Sequence, residues 1–218
     1  ELLSRWPTKS GKIVPGDMTE YGGDIRIGDL GGDGTVDFVL AKSVGGIKTC
    51  FIGAFDWKGR ALWQFGDKNR SVPSADPGIP RYYAESPTRP GPLTVYDIDG
   101  DGNQEVIALV LKEGVEKTSW WNYSDMELAV LDGRTGRVKR RASPEALTSS
   151  DSLTIDGKNQ YAGYVHHRIM IANFRGLKHP RGILVQVGKS VLAFDNSFNL
   201  LWSYQSPFGT YGEHAAYL

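Results

Sequence analysis

The chain repeats one pattern of short strands joined by Gly/Asp turns, and a repeat of this kind leaves few folds open. In the first copy a strand at 24–28 runs into Asp29-Leu-Gly-Gly-Asp33-Gly34-Thr-Val-Asp37, followed by a strand at 38–40. A third strand at 48–56 ends in the turn Asp56–Gly59, and a fourth spans 61–65. The second copy has strands at 93–96, 106–110, 127–131 and 137–141, with the run Asp97–Glu105 after the first and the turn Asp132–Gly136 after the third. The third copy has strands at 167–173, 183–187, 190–194 and 200–204, with the turn Asp195–Asn199. The stretches Phe55–Phe65 and Phe194–Tyr204 match closely, and Trp63 and Trp202 on them are expected to pack between repeats.

Each copy holds about four strands and leaves no room for helices, and such units in series read as propeller blades. The expected fold class is all-β: a β-propeller of four-stranded blades with about three blades present, part of a larger ring of about 7–8. Residues 1–23 read as an approach segment, the blades as about 24–92, 93–166 and 167–214, and 215–218 as the start of a further blade. The other blades are expected from the missing part of a longer chain or from another chain.

Between the first two strands of a blade lies an aspartate loop. In Tyr96–Val106, Asp97, Asp99 and Asp101 alternate, Gly102 gives the tight turn, the Asn103 carbonyl adds an oxygen, and Glu105 closes the run. Hard cations take several oxygen ligands, so this is the layout of a short calcium loop inside a β-hairpin. An ordinary Asp-Gly turn with solvated carboxylates is the alternative. The first copy supplies Asp29, Asp33 and Asp37, with Gly31 where the second aspartate belongs, and the corresponding loop of the third copy, 174–182, has lost every aspartate. Any Ca2+ here is expected to be structural, holding a turn away from the chemistry.

Composition narrows the partners. The formal net charge is zero, so no global field points to nucleic acid or an anionic membrane. No run of apolar residues is long enough for a membrane span. Cys50 is the sole cysteine, which excludes a disulfide framework and suggests a buried thiol. The chain opens at Glu1 rather than Met, as a mature or trimmed N-terminus would, which fits a secreted or periplasmic protein.

The runs DLGGDGTVDF and DIDGDGNQEV resemble the FG-GAP/VCBS repeats of integrin-like calcium-binding propellers. The stretches GGDIRIGDLGGDGTVDFVL, ELAVLDGRTGRV, HHRIMIANFRGLKHPRGILVQ and AFDNSFNLLWSY together resemble the propeller polysaccharide lyases, which include rhamnogalacturonan, ulvan and rhamnose–glucuronate lyases. The resemblance implies a secreted lyase cleaving a uronic-acid-containing, rhamnose-linked polysaccharide by β-elimination, so the partner is an acidic polysaccharide. A non-catalytic FG-GAP module binding glycan or protein is the alternative, because propellers of this type also serve adhesion.

Such a lyase needs a base, an acid for the leaving oxygen, and positive charge on the uronate carboxylate. His166-His167-Arg168 stands where a loop enters an inner strand, and adjacent strand residues face opposite ways, so one histidine can face a central funnel. His167 and Arg168 are the catalytic candidates there, with His166 as a substrate-binding candidate. The resemblance implies Tyr211 or His214 as a further acid/base candidate, at the same relative place before the next strand. Arg175 and Arg181 in the degenerate third loop, beside His179, can replace a cation with fixed charge, and arginine also suits a carboxylate. Arg81, Tyr82, Tyr83, Trp120 and Trp121 sit in irregular insertions and either stack on sugar rings or pack beneath their own loops. Asp17, Glu20 and Asp24 make no convincing acid pair for a glycosidase.

Overall fold

The computed structural model describes residues 25–44, 48–70, 92–118, 123–148, 154–155, 158–159, 168–187 and 190–205. Strand after strand turns back on its predecessor, as short apolar runs ended by Gly and Asp turns dictate. The first unit is the antiparallel series β1 (Ile25–Gly28), β2 (Asp37–Val44), β3 (Lys48–Phe55) and β4 (Ala61–Gly66). The second is β5 (Leu93–Tyr96), β6 (Glu105–Leu111), β7 (Met126–Asp132) and β8 (Val138–Ala142). A small hairpin, β9 (Thr154–Ile155) with β10 (Lys158–Asn159), precedes the third unit. That unit is β11 (Arg168–Ala172), β12 (Gly182–Val187), β13 (Ser190–Phe194) and β14 (Leu200–Gln205). Among the described residues the helical content is one turn, Glu145–Thr148, and a 3-10 turn, Tyr123–Asp125. The all-β expectation of four-stranded blades holds.

The blades pack face to face, which explains the apolar runs of the middle strands. Every residue of β3 and of β6 is buried, so both faces of each strand are covered. Along β6, Val106, Ala108 and Val110 join Val39, Ala41, Ile52 and Ala54 in a core between the first and second blades. The alternate residues Ile107 and Leu109 point the other way. They meet Ile183, Val185, Leu192 and Phe194 in a core between the second and third blades. Edge strands are different: β8 is exposed along most of its length and β14 along all of it. Cys50 is a buried free thiol beside a register shift in the β2–β3 ladder, with its Sγ 3.5 Å from the Lys42 carbonyl oxygen.

All three blades share one irregularity in their last ladder. Ala54 pairs Trp63 while Phe55 pairs Ala61, Val130 pairs Arg140 while Leu131 pairs Val138, and Ala193 pairs Trp202 while Phe194 pairs Leu200. Leu62, Lys139 and Leu201 are therefore the skipped residues of three equivalent bulges, a device that re-aims a side chain. The next residue in each bulge behaves differently in each blade. Trp63 is buried and packs on the β7–β8 turn of the second blade, where its Nε1–H donates to Gly133 O at 2.6 Å. Arg140 lies over the Phe198 ring of the third blade at 5.7 Å. Trp202 departs from the expectation of packing between repeats: it is 46% exposed and meets edge-on Phe174 of its own blade, because no described strand lies beyond β14.

Candidate metal centre

The aspartate loops are placed by strand register. Gly28 pairs Asp37, Tyr96 pairs Glu105, and Ala172 pairs Gly182, so each loop closes the same end of its first hairpin. The closing acid is the first residue of the second strand in the first two blades, and both are buried, Asp37 at 3% and Glu105 at 0% exposure.

In the second blade Asp97 folds the loop around itself. Its two oxygens accept from Gly100 N at 2.7 Å and Gly102 N at 3.1 Å. Gly102 adopts φ 87°, the left-handed conformation that a side chain at this turn would resist. Asp101 turns to Asn103, accepting from its backbone N at 2.7 Å and its Nδ2 at 3.0 Å. Glu105 reaches back under the loop and accepts from Ile98 N at 3.1 Å. The outcome is a cluster in which Asp97, Asp99 and Glu105 offer carboxylate oxygens within 4.8 Å of one another. Three converging carboxylates are the donor set of a hard divalent cation, so these residues fit Ca2+ in chemical type. Asp101 and Asn103 are not drawn into that cluster.

Lys139 enters the same space. Its Nζ lies 2.7 Å from Asp99 Oδ2, 2.9 Å from Glu105 Oε1 and 3.6 Å from Asp101 Oδ2. Burial acts to depress the Lys139 ammonium, but hydrogen bonds to Asp99 and Glu105 outweigh it and hold the group above the ordinary lysine value. Desolvation raises Glu105 above the usual carboxylate range, offset in part by Lys139 and the Ile98 N–H. Lys139 was invisible as a site residue in the outer strand Arg137–Arg141. Its signal was present in the repeat: the blade with the full set of acids carries lysine where the other two carry leucine.

The loop of the first blade is held by a similar set of hydrogen bonds. Asp29 accepts from Asp33 N at 3.0 Å and Gly34 N at 2.8 Å, and Asp33 accepts from the Thr35 N–H and hydroxyl. Asp37 accepts from Leu30 N at 3.0 Å and Gly31 N at 3.1 Å. Burial lifts Asp37 above its ordinary value despite those two bonds. A side chain at Gly31 would start 3.7 Å from Asp33 Cγ and 3.8 Å from Asp37 Oδ2, so the lost ligand position faces the remaining acids. Among the described residues this loop forms no three-acid group with converging oxygens.

The third loop is held by other means. Gly176 N donates to Asn173 O and His179 N to Gly176 O, both at 3.1 Å, while Arg175 Nη2 donates to Pro180 O at 3.2 Å. Arg181 leaves its own loop: Nη1 donates to Asp97 O at 3.1 Å and the guanidinium covers the Tyr96 ring at 4.9 Å. It thereby ties the third blade to the acidic loop of the second. His179 is exposed, as is Arg168 at the start of β11, opposite Gln186. Arg81, Tyr82, Tyr83, Trp120, Trp121, His166, His167, Tyr211 and His214 lie outside the described residues.

No protein-family model and no curated protein matches the sequence. Solved structures do. The rhamnogalacturonan lyase YesW superposes with a TM-score of 0.54 at 21% identity, over 84% of this chain and 34% of its own. The exotype rhamnogalacturonan lyase YesX gives 0.54 at 20% identity, over 84% and 33%. The Bacillus licheniformis rhamnogalacturonan lyase PL11 gives 0.51 at 20% identity, over 84% and 34%. The chain thus spans about a third of the length of these structures. Its four-stranded units share the fold of that part of a rhamnogalacturonan lyase.

Proposed function

We propose that this chain forms part of a secreted or periplasmic polysaccharide lyase acting on a uronic-acid-containing, rhamnose-linked polysaccharide. The observation that carries the reading is the shared fold with three rhamnogalacturonan lyases over 84% of the chain. The motif resemblance, drawn from sequence alone, points the same way. No helix among the described residues is long and apolar enough to cross a membrane.

In β-elimination a base removes the proton at C5 of the uronate. The electron pair left behind forms the C4–C5 double bond as the C4–O bond breaks, and the departing oxygen takes a proton from an acid. Positive charge on the carboxylate makes the C5 proton acidic. In this reading His167, with Tyr211 or His214, supplies the base and acid, since histidine titrates near neutral pH. Arg168 and Arg175 pair with substrate carboxylates. His166, Arg81, Tyr82, Tyr83, Trp120 and Trp121 line the path of the sugar chain. Asp97, Asp99 and Glu105 would hold Ca2+. Its part would be to fix the hairpin loop rather than to join the reaction.

An ultraviolet assay for unsaturated uronides tests the proposal. The full protein, with its His167→Ala and His214→Ala variants, is offered pectic rhamnogalacturonan, ulvan and gums of the arabinogalactan type. New absorbance on one substrate, lost in a variant that still melts like the parent, supports a lyase and names its substrate. No absorbance on any of them, from protein that binds the same glycans, establishes a non-catalytic binding module instead.

A further inference from the structure

The bulge in β8 sets a lysine against two of the three acids whose oxygens converge, Asp99 and Glu105. Lys139 is the residue that the β7–β8 ladder skips, so its side chain is freed from the strand's alternation and turns onto the loop of its own blade. There three carboxylates converge on one ammonium, at 2.7, 2.9 and 3.6 Å. The ammonium donates hydrogen bonds to Asp99 and Glu105, and Asp101 completes the group as an ion pair. Two of these acids, Asp99 and Glu105, are also two of the three that offer converging oxygens to a metal. A divalent ion entering the cluster therefore has to take Asp99 and Glu105 from the lysine. The equivalent bulge positions in the other blades carry Leu62 and Leu201, which bring no charge.

We propose that Lys139 is a tethered counter-ion: it neutralises the 97–105 loop in place of, and in competition with, calcium. Carboxylates this close repel unless a cation lies among them. A lysine on the same blade meets that need at any calcium concentration. The loop then keeps its fold without metal and binds calcium weakly. The proposal rests on the calcium reading of the loops and is independent of the lyase reading.

Calcium titrations of the full chain by calorimetry, with thermal melts in calcium and in chelator, test this on the parent, Lys139→Met, Lys139→Arg and Lys139→Met/Asp99→Asn. Loop affinity follows the charge of the site. Lys139→Met is therefore expected to bind calcium about tenfold or more tighter at one site than the parent. The gain should vanish in the double variant, and Lys139→Arg should behave like the parent. Chelator should lower the melting temperature of Lys139→Met by more than that of the parent. Equal affinity in parent and Lys139→Met overturns the proposal and leaves the calcium reading standing. No calcium at this loop in either protein overturns both. A Lys139→Met protein that folds only with calcium supports the proposal, and one that calcium does not rescue overturns it.

Discussion

The indole N–H of Trp63 donates to the carbonyl oxygen of Gly133 at 2.6 Å, joining the last strand of the first blade to the last turn of the second. The bond is buried, and the ring lies directly on the turn. A β-carbon on Gly136 would meet Trp63 Cε3 at 2.5 Å, and Gly136 also adopts φ 69°. Gly136→Ala is therefore penalised twice, by backbone strain and by the ring, and should cost about 2–4 kcal/mol in denaturant unfolding. Gly114→Ala, at φ 73° with open space around its β-carbon, carries only the backbone penalty and should cost clearly less. Trp63→Phe keeps most of the apolar contact, loses the hydrogen bond, and should cost about 1–3 kcal/mol.

Acid should unfold the protein through its third-to-fourth-strand turns. Asp56 accepts from Lys58 N, Arg60 N and Arg60 Nε, and Asp195 accepts from Ser197 N, Asn199 N and Asn199 Nδ2. Burial pushes both acids up, but these bonds outweigh it and hold both below the ordinary value of 3.8. Their stabilisation is thus present above pH 3.8 and is lost as pH falls through their lower folded values. Melting temperatures from pH 6 down to about pH 2 should fall more steeply in the parent than in Asp56→Asn/Asp195→Asn. Parallel curves would remove these turns as the cause.

Cys50 should resist thiol reagents while the chain is folded. Burial outweighs the opposing pull of Lys42 and Arg70 and pushes its thiol up to about 11. Only the thiolate is nucleophilic, so little of it exists at pH 8. Disulfide-reagent labelling should stay slow in buffer and become fast at the denaturant concentration where fluorescence reports unfolding. Rapid labelling of the native protein would contradict the burial described here.

Arg181→Ala should loosen the acidic loop without touching a carboxylate. It removes the bond to Asp97 O and the cover over Tyr96. A loss of about 1–2 kcal/mol is expected. Faster amide exchange in 97–105, with the 29–37 loop unchanged, would locate the effect.

The architecture was legible because its signals are local. Turn residues and apolar alternation mark each strand, and the three repeats corroborate one another, so the twelve blade strands emerge close to where the pattern puts them. The bulges were not legible. Val138-Lys139-Arg140 reads as an outer strand with regular alternation, and only the register shift against Val130 and Leu131 shows that Lys139 turns onto the loop. Arg181 escaped for a related reason: it sits in the third loop by sequence, yet its partner Asp97 lies 84 positions earlier. Trp202 shows the opposite limit. Its near identity in context to Trp63 predicts the same packing, but that packing depends on a neighbouring turn, which sequence similarity within one strand cannot supply.

The recurring bulge gives each blade one position that is exempt from the ladder. Leucine occupies it in two blades (Leu62 and Leu201) and lysine in the other (Lys139), while the residues on either side remain paired with the neighbouring strand. Such a position can change without remodelling its sheet. A repeat architecture with this freedom can set its dependence on dissolved ions unit by unit, a single substitution at a time, while every unit keeps the same shape.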